Sequence, residues 1–280
     1  MPVIRIVTDS TGDIPPELAA AYGIVVVPAV VIIDEQQYLD GEGLSRAEFY
    51  RRLPEMNPLP TTAAPSAGVF AETYRRLLEE ADAVVSIHLA QTLSSIYQNA
   101  RLAAQDFGGK VHVVDSGQLT LGLGFQVLAA ALVAQAGGTL EAVLAAAEEI
   151  GHRVRLIAML DTLEFLRRSG RVSWAKARLG SLLRIKPFVE VRHGEVLRLP
   201  AVRTRSKGLA RLAEHLHSLG PLDYLAVLHT GAEADARALL AAANASTLRQ
   251  PPLSVLVTTV IGTHVGPRGV GFVAVPTAHP

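Results

Sequence analysis

Residues 261–271 read Ile-Gly-Thr-His-Val-Gly-Pro-Arg-Gly-Val-Gly. Four glycines surround one histidine, His264, and one arginine, Arg268. Glycine permits left-handed turns, and successive N–H groups in such turns form a concave anion site. Apolar runs at 253–260 and 272–275 flank the segment, so it is expected to be a loop between two strands that sets His264 beside an oxyanion. A tight strand connection carrying an incidental histidine fits the same residues.

A second candidate is Leu93-Ser94-Ser95, which follows an apolar run ending near Leu89 and precedes a helical pattern. This places the Ser94 hydroxyl and the N–H groups of Ser95 and Ile96 at a helix N-terminus, where a carboxylate or phosphate is favoured. An ordinary serine cap fits equally well. Thr8-Asp9-Ser10-Thr11 follows the first strand pattern, at the end of a parallel strand where ligand crevices lie. There, Thr11 and Asp13 read as caps for the helix opening at Pro15-Pro16, and Asp9 and Ser10 remain open between ligand and structural roles. Asp115-Ser116 repeats the arrangement after 111–114. In the loop 60–66, Ser66 suits the cap of the next helix and Thr62 has no local task. Arg171 stands just past a helix stopped by Gly170, and Arg203 and Arg205 open another helix.

The 280 residues carry 26 basic and 26 acidic side chains, so no net charge argues for nucleic acid. With no cysteine, disulfides, thiol nucleophiles and Cys-type zinc sites are excluded. The histidines lack metal-ligand spacing, and neither a G-x-S-x-G elbow nor a phosphate-binding Walker loop occurs. No cofactor, metal or catalytic residue is therefore assigned. The N-terminus shows no signal-peptide pattern. The apolar stretch 119–136 contains Gly122, Gly124, Gln126 and Gln135 and suits a buried helix better than a bilayer span. The expectation is a cytoplasmic protein without stable membrane insertion.

The elements that must position these residues follow two patterns. Val- and Ile-rich runs at 3–7, 24–33, 83–89 and 111–114 alternate with helical segments, which predicts a parallel sheet covered on both faces. Pro28 marks an edge or bend in the second run. Past Gly137-Gly138, Thr139 suits the cap of an Ala-rich helix. The later runs, at 156–160, 186–191, 195–199, 224–229, 253–260 and 270–275, mix with helices at 205–219 and 233–244. His193-Gly194 sits between two of the runs as a hairpin turn. The chain is therefore expected to be α/β with two domains, a parallel-sheet domain over 1–153 and a mixed α+β domain over 154–280. A cleft between such domains is a usual ligand location.

Taken in order, these segments resemble the DegV family of bacterial fatty-acid-binding proteins. The likeness rests on Thr8-Asp9-Ser10, Thr62 with Pro65-Ser66, Leu93-Ser94 with Tyr97-Gln98, and Asp115-Ser116. It continues through 163–173, the Leu-Arg-Ile-Lys-Pro of 183–187, Arg203 with Lys207, and Ile261–His264 with Gly266-Pro267. The resemblance implies a long-chain fatty acid buried at the junction of the two domains. It implies a carrier that presents the acid to a separate fatty-acid kinase for acyl-phosphate formation. It assigns the carboxylate to Thr62 and Ser94, with Ser95 and His264 nearby, and phosphate or kinase contacts to Arg171, Arg203 and His264. Arg205 is a neighbouring candidate. Departures from the family pattern are Ala63 and Ala64 where polar residues are usual, Ser95 for a usual Gly, Val265 for a polar residue and Arg268 for a small one. Two other readings use the same residues: an autonomous ester or phosphoester hydrolase built on Ser94 and His264, and a phosphotransfer component with a modified histidine.

Overall fold

The computed structural model describes residues 2–176, 185–243 and 245–278. Leu183 and Arg184 of the Leu-Arg-Ile-Lys-Pro motif, and Asn244, the expected end of one helix, lie outside the described residues. The strands are β1 (Ile4–Asp9), β2 (Val25–Val27), β3 (Val30–Ile33), β4 (Gln36–Leu39), β5 (Thr61–Ala63), β6 (Ala83–His88) and β7 (Val111–Asp115), then β8 (Arg155–Met159), β9 (Lys186–Arg192), β10 (Glu195–Val202), β11 (Leu222–His229), β12 (Leu253–Leu256) and β13 (Val270–Pro276). The helices are α1 (Pro16–Ala21), α2 (Arg46–Arg52), α3 (Ala67–Leu77), α4 (Ile96–Ala104) and α5 (Leu121–Gln135), then α6 (Leu140–Arg153), α7 (Glu164–Ser169), α8 (Arg205–His217), α9 (Glu233–Ala242) and α10 (Thr259–Val265).

The chain forms two compact units, one from Met1–Val30 with Thr62–His152, the other from Val31–Thr61 with Arg153–Pro280. The sequence places the division near the same residue but keeps 1–153 together. The excursion Val31–Thr61 instead groups with the second unit. Pro28 is where the chain leaves: β2 is the edge strand of one sheet, and β3 joins a separate sheet ordered β4-β3-β5.

The first unit holds a parallel sheet ordered β2-β1-β6-β7. Its inner strands are almost wholly buried, as expected when helices cover both faces. Helix α5 is the buried apolar helix of the sequence pattern. It lies so close to the β1–α1 connection that a Cβ on Gly124 would sit 2.5 Å from the Gly12 carbonyl oxygen. Among the described residues no helix is long and apolar enough to cross a membrane.

The second unit holds a mixed sheet ordered β10-β9-β8-β13-β11-β12, antiparallel except for β11 beside β12. Helices α8 and α9 cover a core containing Met159, Phe188, Leu212, Leu225 and Phe272. The β9–β10 hairpin turns at His193 and Gly194, both with positive φ (48° and 80°), as the sequence predicts.

Three local expectations are corrected. The run 253–260 is not one strand, because β12 stops at Leu256 and Thr258 caps α10 by accepting from the Val260 N–H at 2.9 Å. Capping outweighs the strand preference of Val260 and Ile261. The Gly-rich segment is consequently helix and turn, not a loop between strands, and its N–H groups do not form an open nest. Thr11 and Asp13 do not cap α1, which opens at Pro15 without a side-chain cap. Ser66 and Thr139 do cap their helices as read, accepting from Val69 N and Ala142 N.

Gly271 tests how tightly the second sheet is built. A Cβ there would meet the Ile157 carbonyl oxygen at 2.5 Å and the Ala158 Cβ at 2.7 Å, so backbone must shift. Overpacking of this kind costs about 1–3 kcal/mol. Gly271→Ala should lower the urea midpoint accordingly, and an unchanged midpoint would show that the two strands part freely.

Candidate functional site

In the first unit, Ser94 sits immediately before α4 and its Oγ accepts from the Ile96 N–H at 3.3 Å. Ile96 N–H is therefore taken up by the serine and is not an open anion donor, which corrects one part of the sequence reading. Ser95 is the formal cap residue, is exposed, and makes no side-chain cap bond. The half-buried Ser94 hydroxyl still carries its own proton, with no acceptor for it among the described residues. Thr62 lies half-buried on β5. Its loop is tied to α4 by Asn99, whose Nδ2 donates to the Pro65 carbonyl at 2.8 Å. Sequence reasoning missed Asn99, which lies one turn past the Ser94–Ser95 corner.

The Ser94 loop is held from beneath by Asp9. Its Oδ2 accepts from Leu89 N at 3.1 Å and faces His88 Nδ1 at 2.9 Å, and its Oδ1 accepts from Thr11 N and the Thr11 hydroxyl. His88 Nε2 meets Ser86 Oγ at 2.7 Å, and Ser86 Oγ meets Tyr74 OH at 2.8 Å. An Asp–His–Ser series is the arrangement of a hydrolase triad. Here the side chains of Asp9 and His88 have 0% exposure, and Ser86 and Tyr74 are likewise at 0%. No substrate reaches the serine, so the series is scaffold. Burial raises the Tyr74 phenol above its ordinary value, and the Ser86 bond offsets this only in part. Ser10 is also structural, its hydroxyl accepting from Ala29 N at 3.1 Å. Asp115 accepts from Gln91 N and Gly117 N, at 3.2 and 3.0 Å.

In the second unit, His264 closes the last turn of α10. Gly266 follows it, and a Cβ there would lie 2.4 Å from the Phe165 ring of α7. This approach lets α10 pack on α7, whose C-terminal Gly170 (φ 70°) delivers Arg171. Burial, and then the Arg171 guanidinium, push the His264 imidazole down from 6.5 to about 4. His264 is neutral at pH 7. The structure thus brings Arg171 and His264 within electrostatic range. Arg203 stands exposed at the end of β10, with no ion-pair partner among the described residues.

Arg205 is committed elsewhere. Its Nε donates to Asp235 at 2.7 Å, its Nη1 to Asp161 at 3.2 Å, and its Nη2 to the Arg268 carbonyl at 2.9 Å. Asp161 also receives Lys186 Nζ at 2.6 Å. The Arg268 guanidinium is exposed and lies 3.8 Å from Asp161. Asp161 lies just past the end of β8, much as Asp9 and Asp115 close β1 and β7, a signal that the sequence reading left unused. Among the described residues no group of three or more His, Asp or Glu could hold a metal ion.

Comparison with known proteins settles the family. The model of the DegV family, described as "Uncharacterised protein, DegV family", matches residues 3–277. The chain belongs to the DegV family. A DegV domain-containing protein of Deinococcus radiodurans is 40% identical over 98% of each chain. A solved structure described as fatty acid binding of a DegV family protein from Thermus thermophilus superposes with a TM-score of 0.90. It is 36% identical and covers 99% of this chain and 100% of that one. DegV from Bacillus subtilis, described as a fatty acid binding protein, gives 0.87 at 31% identity over 99% and 100%. The resemblance carried by the motifs is borne out, as is the α/β fold with a parallel sheet and a mixed sheet.

The environment of His264 sets a pH dependence. Below pH 6.5 the unfolded chain takes up a proton that the folded imidazole refuses until about pH 4. This group's contribution to stability is constant above 6.5 and falls as pH drops through that window. Arg171→Gln should raise the NMR titration midpoint of His264 from about 4 while leaving it below 6.5, because burial is the larger cause. A midpoint that stays put would remove Arg171 from the surroundings of the imidazole.

Proposed function

We propose that this protein binds one long-chain fatty acid, with Thr62 and Ser94 holding the carboxylate. The observation that carries the reading is the Ser94 hydroxyl. It is fixed by the Ile96 N–H, keeps its proton for a ligand, and sits just before a helix tied to the Thr62 loop. Relatives with solved structures at 36% and 31% identity are described as fatty-acid binders. A sixteen-carbon acid buries about fourteen CH2 groups at about 0.8 kcal/mol each, roughly 11 kcal/mol of gross transfer energy. Ordering the chain and the side chains around it offsets part of this. The head group then needs only a few hydrogen-bond donors to orient it.

The protein is a cytoplasmic carrier, not an enzyme. It presents the carboxylate to a fatty-acid kinase, which forms the acyl phosphate. Arg171, Arg203 and His264 contact the phosphate or the kinase, with Ser95 at the edge of the head group. Arg203 is the strongest of these on physical grounds, as an exposed cation that no carboxylate among the described residues pairs with. Neutral His264 can donate or accept one hydrogen bond without adding charge.

Losing a hydrogen bond to a charged group costs about 1.5–3 kcal/mol. Ser94→Ala should therefore weaken fatty-acid affinity by at least tenfold, and Thr62→Ala/Ser94→Ala further. Affinity unchanged in the double variant would move the head group elsewhere. Mass spectrometry of the denatured, extracted protein should find a long-chain acid, and recovery of no lipid from protein loaded with one would sink the carrier reading.

Arg203→Ala should lower acyl-phosphate formation by a cognate kinase while the variant stays lipid-loaded. Loss of lipid with normal turnover of the remainder would reverse that division of labour. The hydrolase alternative is separated by assaying lipid-loaded protein alone with ATP, Mg2+ and a model ester. Turnover abolished in both Ser94→Ala and His264→Ala would establish it over the carrier.

A further inference from the structure

The corner between β12 and α10 is gripped by side chains from the excursion Val31–Thr61. The Arg46 Nη1 donates to the Leu256 carbonyl at 2.6 Å. The Tyr50 hydroxyl lies 3.0 Å from the Val257 carbonyl and 3.1 Å from that of Thr258, and its one proton serves both. Thr259 Oγ1 donates to Asp40 Oδ1 at 2.8 Å. Four successive residues, Leu256 through Thr259, are thus each met by the excursion. Three of the contacts go to carbonyl groups at the turn from strand to helix, and that of Thr258 also accepts from the Gly262 N–H at 2.9 Å.

Tyr50 is held as firmly as it holds. It is buried, and its ring packs edge-on against Phe49 with centroids 5.3 Å apart. A Cβ on Gly262, in the middle of α10, would lie 2.3 Å from the Tyr50 hydroxyl and 2.7 Å from its ring. The glycine is therefore a seat for the tyrosine. Two residues on, the same short helix carries His264, and its end packs against α7, which leads to Arg171.

We propose that Tyr50 is a positioning residue whose hydroxyl and ring fix helix α10 and thereby set the place of His264. The functional weight of that placement rests on the reading that His264 serves the head-group end. The coupling itself does not, because Tyr50 and His264 meet through α10 whether or not lipid is bound. The low titration range of His264 agrees with a helix held hard against its surroundings. A loosened corner admits water to the imidazole and relaxes the burial that disfavours its charged form.

The test uses the full chain, free of lipid and kinase, and follows the His264 ring by NMR from pH 7 to 3. Tyr50→Phe keeps the ring and removes both carbonyl contacts, and Gly262→Ala pushes on the ring from the other side. Each should raise the His264 midpoint from about 4 by half a unit or more and shift its ring resonances at pH 7. Leu216→Ala, which cuts packing beneath α8 and away from the corner, should lower the melting temperature and leave the titration in place. Titration curves of Tyr50→Phe and Gly262→Ala that superpose on the parent would overturn the proposal. So would an equal shift in Leu216→Ala, since the effect would then be general loosening. If the protein binds no fatty acid, the carrier reading falls and this measurement still decides the role of Tyr50.

Discussion

Every strand that ends inside this protein leaves backbone groups that a turn cannot pair, and these must find partners because burying them unpaired costs a lost hydrogen bond. The first unit solves this with carboxylates. Asp9 takes the Leu89 N–H, Asp115 takes the Gln91 N–H, and the Gln118 carbonyl takes the Ala90 N–H between them. Leu93 N–H turns back onto the Ala90 carbonyl, and Ile96 N–H goes to Ser94. The segment that carries Ser94 is thus pinned donor by donor. The oxygens of a fully buried carboxylate such as Asp9 need hydrogen-bond partners, and His88 Nδ1 at 2.9 Å is one of them. Ser86 and Tyr74 complete the series so that each polar atom in it has a partner. The Ser94 corner depends on this network without touching it.

The second unit meets the same requirement from the other side. At the end of β12 the groups to be met are carbonyls, so the partners are donors, Arg46 and Tyr50, supplied by a segment distant in sequence. At the end of β8 a carboxylate, Asp161, gathers cations from β9 and α8. Ion pairs of this half-buried kind fix where long side chains lie more than they add stability. With Arg205 divided between Asp161 and Asp235, Arg203 remains an exposed cation at that helix start, as does Lys207. The ordering of neighbouring arginines into a structural one and an available one follows from where the carboxylates stand, not from the arginines.

This explains what the residues alone disclosed. The parallel sheet, the buried helix α5, the His193-Gly194 hairpin and the Gly170 stop were legible because period, propensity and turn chemistry are local. Ser94 and Arg171 were legible as positions beside helix ends for the same reason. The triad-like series was not, because Asp9 and His88 are brought together by pairing β1 with β6, which no local pattern announces. The membership of Val31–Thr61 in the second unit was hidden likewise, since Arg46 and Tyr50 find their partners more than two hundred residues away in sequence. The Gly-rich segment misled for a different reason. Its glycines at 262 and 266 answer to the rings of Tyr50 and Phe165, and sequence cannot separate a glycine that frees the backbone from one that admits a ring.

The polar chemistry also bears on what a carrier of carboxylates must avoid. A carboxylate paired with a buried arginine gains a strong bidentate bond and gives up both oxygens to it. A hydroxyl donor holds a carboxylate oxygen by a single bond and leaves lone pairs on it free; Ser94 and Thr62 are of this kind in the proposed role. The neutral imidazole of His264 offers a donor or an acceptor without adding charge. The guanidinium groups are instead exposed, as Arg171 and Arg203 are, where they can meet the extra negative charge of a phosphate rather than the carboxylate itself. In the proposed role, modest donors retain the acid while its apolar tail supplies most of the affinity, and the cations remain for the partner that performs the transfer.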